Sequence, residues 1–386
     1  MAHARKSYRA FFEHKEEGKK FGLLRDYIKL FVMNLDEMAV PGHDELSSLE
    51  NRIPGIARCK LHAYRTTFTQ KTDHQLSHKL LQGINEAVAA HNPHLNPGMY
   101  KKHTTMWRLH LPNKAINPNA TLAGFEQFIS NWLVKEVNPI HYVSFQSKDS
   151  GRIYTLQPYL SKNGYKLELE IFYSEEGKAT KKYKYDSDSK KRVERMLLEG
   201  SQYSCWIHSL TGSETINNPQ DAITTIEKLE GLFSTYTNSI LAAKSDDEKL
   251  DIIVAYVQFI EHLSPFEGEV TNTSEILLNY LLDEEELPLT LLVNRHRMAT
   301  FSHDELVNSV KEGQRIYLEL TNNRFPKIYN YSGKEISSSI RGEALPEYKS
   351  EIDDFIRFVV EPNLAKLSAK EARNELSRMA LSSRQF

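Results

Sequence analysis

The residues best suited to chemistry crowd into one short stretch. From His262 the chain runs His-Leu-Ser-Pro-Phe-Glu-Gly-Glu-Val-Thr-Asn to Asn272, bringing an imidazole, a hydroxyl and two carboxylates close together. A histidine in such a stretch can take a proton from a hydroxyl, and a serine can attack once a neighbouring base activates it. Spacing limits both roles here. On a helix, two residues turn a side chain by about 200°, so His262 and Ser264 point apart unless the helix ends between them. His262 therefore reads as a partly exposed helix-end residue, and neither a base nor an oxyanion donor can be named beside Ser264. Other clusters read as structure. His91 and His94 sit among prolines and lack the four close ligands of a structural zinc, so they read as loop histidines. Ser302-His303-Asp304-Glu305 reads as an N-cap followed by an acidic first turn. Lys178, Lys181, Lys182, Lys184, Lys190, Lys191 and Arg192 form the basic cluster of note. It reads as a solvated hairpin tip or as a contact for an acidic partner or phosphate. Lys181, Lys182, Tyr183, Lys184 and Tyr185 are its candidate partner-binding residues.

Two apolar segments must hold the His262–Asn272 stretch. Before it, Leu250, Ile253, Val254, Val257 and Ile260 form one stripe from Asp246 to Leu263, widened by Tyr256, Phe259 and Leu263, which predicts a helix central to a core. After it, Thr273 to Leu282 is almost wholly apolar and reads as buried all round. Helical spacing also joins Phe21, Leu24, Tyr27, Ile28 and Phe31, then Leu76, Leu80, Leu81, Ile84 and Val88, then Phe125, Phe128, Ile129, Trp132 and Leu133. Pro41-Gly42, Pro54-Gly55, Asn92-Pro93 and Pro97-Gly98 mark the turns between them. Residues 141–186 change character. Tyr142, Ser144 and Gln146 alternate with Val143 and Phe145, and Tyr165, Leu167, Leu169 and Ile171 line one side of an extended run. Glycines at 151, 164 and 177 punctuate these runs. Beyond 190 helices return, closing with Phe355 to Leu367 and Ala369 to Met379 as two helices or one broken at Pro362.

The expected fold is mainly α, a helical core with an inserted small antiparallel β segment and a helical C-terminal extension. Its expected divisions are residues 1–75, a core over 76–320 interrupted at about 141–186, and 321–386. The 386 residues, 40% hydrophobic and 26% charged, can bury a full core. A net charge of −2 argues against a dedicated nucleic-acid binder. Cys59 and Cys205 are too few for a disulfide framework. No apolar run approaches the roughly 18 residues of a membrane span, and no apolar block follows the basic start as in a signal peptide. The chain reads as a soluble, cytoplasmic-type protein of a reducing compartment, with its oligomeric state unread.

The run from Phe259 to Leu282 resembles the core of the Fic family, the Fido fold, whose signature H-P-F-x-[DE]-G-N-G-R-T lies between two buried helices. Phe259, Leu263, Pro265 and Phe266 fit upstream, and Thr273 with Ile276 through Leu282 fits downstream. Leu287-Pro288-Leu289 matches the step that follows. Pro97-Gly98-Met99-Tyr100-Lys101 resembles the family's P-G-x-[FY]-R. The resemblance covers roughly 76–135 and 245–320, and implies a Fic-like helical core.

In active members, the resemblance implies, the histidine is the general base, the acid holds Mg²⁺ on the nucleotide, glycines and asparagine cradle phosphate, and arginine pairs with it. Laid on without a gap, the base position is Ser264 and the acid position Gly268. The cradle glycine and asparagine become Glu269 and Val270, and the arginine becomes Asn272. A one-residue gap would restore Glu267 and Gly268 but spoil the register of the downstream match. A carboxylate at 269 repels the phosphate the cradle once held, by about 4 kcal/mol per unit charge at roughly 4 Å and a dielectric of about 20. Asn272 with Glu275 three residues on reads as a capping box. Neither Arg195–Gly200 nor Ile226–Gly231 supplies the hydroxyl of the family's inhibitory motif. These departures imply a degenerate member that does not transfer AMP, needs no cofactor and acts by binding a protein partner, as an effector delivered by an intracellular bacterium into a host cell. The alternative is a divergent transferase, using Mg²⁺ and a nucleotide through a rebuilt site.

Overall fold

The structure, a computed structural model, describes residues 21–33, 46–70, 76–100, 106–109, 120–134, 140–161, 164–172, 179–199, 202–209, 219–292, 294–329, 333–340, 342–343 and 345–383. The Pro41-Gly42 turn, Gly177 and Lys178 lie outside the described residues. The principal helices are α1 (Ile56–Thr69), α2 (His78–Ala89), α3 (Leu122–Val134), α4 (Ser187–Leu198), α5 (Pro219–Ala242), α6 (Asp246–Leu263), α7 (Val270–Glu284), α8 (His303–Thr321), α9 (Lys349–Phe355) and α10 (Glu361–Ser383). The strands are β1 (Met106–Leu109), β2 (Ile140–Ser147), β3 (Ile153–Ser161), β4 (Gly164–Phe172), β5 (Ala179–Lys184) and β6 (Tyr203–Ser209). The protein is mainly α with one small antiparallel sheet.

Helices α6 and α7 lie at the heart of the larger core, as their apolar stripes require. Ile253, Val257 and Ile260 of α6 and Ile276, Leu277 and Leu282 of α7 are all essentially inaccessible. Ser245 caps α6 by accepting from the Glu248 N–H, and Asp246, Asp247 and Glu248 place carboxylates at the positive end of its dipole. The expected cap of α8 is present in full: Ser302 and Glu305 form a reciprocal capping box. Phe31, Tyr64 and Phe355 lock three chain regions together, with ring centroids 4.8 Å apart for Phe31 and Phe355 and 5.3 Å for Tyr64 and Phe355.

The sheet is larger than the alternating run at 141–186. Its order is β1-β6-β2-β3-β4-β5, with every pairing antiparallel. Strand β6 therefore intrudes where helices alone were expected beyond 190, and it fills the place between β1 and β2. Val143, Phe145, Leu156, Leu169 and Cys205 point to one face and are buried there against Phe125, Phe128 and Ile129 of α3 and Val193, Met196 and Leu197 of α4. Lys182 and Lys184 belong to edge strand β5 rather than to a hairpin tip.

Helix α3 joins this second core to the first. A Cβ on Gly124 would come within 2.4 Å of backbone atoms of Thr300 and Phe301, so only glycine allows the approach. The Thr121 N–H donates to the Thr300 carbonyl at 3.1 Å, and Gln127 Oε1 accepts from the His303 N–H at 2.9 Å.

The C-terminal helices are one continuous helical run, not two. Between α9 and α10, residues Ile356–Val360 form a π-helix. Pro362 explains it: proline has no N–H for the carbonyl four residues back, and its ring crowds that carbonyl, so the preceding turn widens. Asn363, fully buried, then ties α10 down by donating to Asp283 Oδ1 at 2.9 Å and the Leu287 carbonyl at 3.0 Å, while accepting from the Tyr317 hydroxyl at 3.2 Å.

Candidate functional site

The α6–α7 turn is where the chemistry-bearing residues meet. Helix α6 ends at Ser264, whose backbone turns left-handed (φ 44°, ψ 61°) before Pro265 blocks any continuation. Helix α7 starts behind Glu269, also left-handed (φ 56°, ψ 23°). Helix α7 thus begins three residues earlier than the Asn272–Glu275 capping box expected. Asn272 lies inside the helix and Glu275 is not a cap. Its carboxylate is engaged elsewhere, by the buried Lys60 ammonium at 2.5 Å.

A segment after α2 packs down on this turn. His91 Nε2 and Glu269 Oε1 are 3.0 Å apart, and Asn272 donates its side-chain amide to the other carboxylate oxygen of Glu269. Asn96 donates to Glu267 at 2.9 Å. Tyr100 forms an antiparallel bridge with Phe266, and their rings stack at 5.2 Å. Asn85 donates to the Gly268 carbonyl and to Thr273 Oγ1, and accepts from the Gly98 N–H. A Cβ on Gly268 would stand 2.6 Å from Leu95 Cδ1.

Electrostatics follow from this closure. Burial pushes the Glu269 carboxyl up, but hydrogen bonds from His91 and Asn272, with the charges of His91 and Arg295, hold it below the ordinary glutamate value. Under the turn, burial and the neighbouring Arg295 push the Lys60 ammonium down to about 8, against the pull of Glu275. Arg295 lies 3.8 Å from Glu275 and donates to the Val32 carbonyl at 2.8 Å. Burial raises the Tyr100 hydroxyl to about 12. The turn is held by buried hydrogen bonds above the Lys60–Glu275 ion pair, with Asn272 Oδ1 left without a partner.

His262 departs from its expectation. It is 2% exposed rather than partly exposed, with its ring edge-on to Phe128 at 4.9 Å and Nε2 2.7 Å from the Ala299 carbonyl. Ser264 is buried, while Gly268, Val270 and Thr271 are half-buried. Thr271 donates to Glu261 at 2.6 Å. Of the candidates at this turn, Glu269 is the one held by a histidine from another element, and sequence reasoning missed His91 in that role as it missed Lys60 beside Glu275. His91 was in view as a loop histidine, but nothing local pointed to its partner.

The basic cluster lies far along the sheet. Lys182 is 2.6 Å from Glu170, Lys190 2.8 Å from Glu126, and Lys191 4.0 Å from Asp188. Lys181 and Arg192 sit over the Tyr183 ring at 5.8 and 5.3 Å. Much of its charge is answered by local carboxylates. Among the described residues no group of three or more His, Cys, Asp or Glu is placed to hold a metal ion, and no helix is long and apolar enough to cross a membrane.

Compared with known proteins, the sequence matches no family model and no curated protein. Among solved structures it matches a Fic domain-containing signaling protein from Bacteroides thetaiotaomicron, with 11% identity over 94% of this chain and 96% of that one, at a TM-score of 0.33. A superposition that loose carries no argument about family or activity.

Proposed function

We propose that the chain is a Fic-like protein whose catalytic loop has become a structural joint, and that it works by binding a protein partner without transferring AMP. The observation that carries this reading is position 269. The resemblance implies a cradle glycine there, and the backbone is left-handed as a glycine readily permits, yet a glutamate fills the place and is hydrogen-bonded to His91. The base position is Ser264, a helix terminus, and the arginine position is Asn272, which donates to Glu269 instead of presenting a cation. Such a loop asks for neither Mg²⁺ nor nucleotide. The partner-binding residues of this proposal are Lys181, Lys182, Tyr183, Lys184 and Tyr185. They lie on and just after β5, which ends the described sheet and exposes Lys181, Lys182 and Lys184. The setting we propose, delivery from a bacterium into a host cell, rests on the sequence resemblance.

Calorimetry tests the reading with ATP, GTP, UDP-sugars and CDP-choline, each with and without Mg²⁺, on the wild type and on Glu269→Ala. The expected outcome for the wild type is binding weaker than about millimolar for every nucleotide. Micromolar binding of any one would make the loop an active site and overturn the proposal. A pull-down with Lys181→Glu/Lys184→Glu against the wild type tests the partner surface, and equal capture by both would remove it.

A further inference from the structure

A groove on the opposite side of α1 from its buried face has no part in the turn's ion pairs. It encloses about 460 Å³ between α1, the end of α2 and α9, within the range of small-molecule sites. Its two walls carry opposite charge. Arg58, His62 and Arg65 project from α1 at helical spacing, so they share one face over roughly 10 Å. Glu351 and Asp354 face them from α9, with Ser350 beside them. Leu61, Ala87 and Ala90 supply the apolar lining.

The walls are joined by two ion pairs, Arg58 Nε to Glu351 Oε1 at 2.7 Å and Arg65 Nη1 to Asp354 Oδ2 at 2.6 Å. Both are open to solvent, with Arg58 61% and Arg65 47% exposed. Exposed pairs of this kind contribute little to stability, so a ligand exchanges with them at little cost. The arginines stay in position after exchange because each has a second support: Arg58 lies over the Tyr348 ring at 5.6 Å and Arg65 over the Phe358 ring at 5.5 Å. Each guanidinium has five donors, more than one carboxylate uses. Among the described residues, the His62 imidazole and the Ser350 hydroxyl make no hydrogen bond.

Two arginines against two carboxylates leave the groove without net charge, so it offers no field to a simple anion or cation. It does offer a dipole from wall to wall. We infer that the groove binds a zwitterion, an α-amino acid or its short peptide. The carboxylate lies among Arg58, His62 and Arg65, the ammonium faces Glu351 and Asp354, and an apolar side chain rests on Leu61, Ala87 and Ala90.

The common L-amino acids, screened by thermal shift and followed by calorimetry on the full chain, test this. At least one with an apolar side chain is expected to bind with a Kd below about 10 mM. Its N-acetyl and methyl-ester derivatives, each lacking one charge, are expected to bind at least about tenfold more weakly. The swap Arg58→Glu/Glu351→Arg keeps that ion pair while reversing its sense against the Arg65–Asp354 pair, and is expected to weaken binding about tenfold as well. Should that variant not fold, His62→Trp, which fills the groove from an exposed position, must give the same loss. No amino acid binding in that range overturns the inference. Blocked derivatives that bind as tightly as the free acid overturn it too, as does a swap or filling variant that binds unchanged.

Discussion

His91 and Glu269 stand 3.0 Å apart although 178 residues separate them in the chain, and their contact closes the segment after α2 onto the start of α7. Their side chains are only 4% and 18% exposed, so neither partner can turn to water when the other is lost. His91→Ala is therefore expected to cost roughly 1–3 kcal/mol, the range for losing one partner of a part-buried hydrogen-bonded carboxylate, while Glu269→Gln costs less because the neutral amide keeps hydrogen-bonding capacity. Urea unfolding of the two variants beside the wild type gives both values.

The same carboxylate shapes the acid limb of stability. Glu269 titrates below its ordinary value of 4.5. Between its lowered pKa and the ordinary one, the unfolded chain holds a proton that the folded chain refuses. Stability is thus fully present above the ordinary value and is lost as pH falls through the lowered one. Unfolding free energies measured from pH 6 downwards should fall less steeply for Glu269→Gln than for the wild type.

Lys60 makes the opposite end of the pH range informative. Its ammonium, lowered from 10.5 to about 8, loses its proton in the folded chain while the unfolded chain still holds one. This group therefore adds stability as pH rises from about 8 to 10.5, and its full cost is present below 8. Lys60→Met should remove that alkaline rise, measured as the difference from the wild type. Removing Lys60 alone leaves Glu275 buried with only Arg295 near it, and is expected to cost roughly 3–5 kcal/mol at pH 7. Lys60→Met/Glu275→Leu should cost less than the two single changes added together.

Packing over the turn is testable through one methyl group. Gly268→Ala drives a Cβ into the Leu95 side chain, and is expected to cost about 1–3 kcal/mol. Leu95→Ala in the same chain should recover part of that loss. A double-mutant cycle read by thermal denaturation shows whether the two sites couple.

At the far end of α7, Asn363→Ala removes hydrogen bonds to Asp283, Leu287 and Tyr317 at a fully buried position. A loss of roughly 2–4 kcal/mol is expected, and hydrogen exchange should show α10 opening ahead of α9.

Helices α6 and α7 were legible from their stripes because Leu250, Ile253, Val257 and Ile260 repeat at the helical period, and β2 and β4 were legible from alternation, whereas the lysines of β5 read as a hairpin tip. Strand β6 was equally open to view. Tyr203, Cys205 and Ile207 alternate with Ser204, Trp206 and His208, but the run follows a helix and precedes one. Strand β1, four residues long, is too short for any period to register. The turn was misread where a local signature competed with a distant charge. Asn272 and Glu275 have the spacing of a capping box, yet Glu275 belongs to Lys60, 215 residues earlier in the chain. Paired with a buried ammonium, that carboxylate is not free to cap the helix, and no window of sequence contains both residues.

Helix α3 belongs to both cores at once. Phe125 and Ile129 fill the core under the sheet, Gly124 lies against Thr300 and Phe301 with no space for a methyl group, and Phe128 meets His262 at the end of α6. The sheet layer is consequently not a separable module. Cutting the chain to release residues 140–209 would strip the sheet of half its apolar cover, and loosening α3 would unseat the last turn of α6. The sheet and the helices that pack on α3 are therefore expected to lose their order together, seen as coincident loss of both kinds of secondary structure on heating.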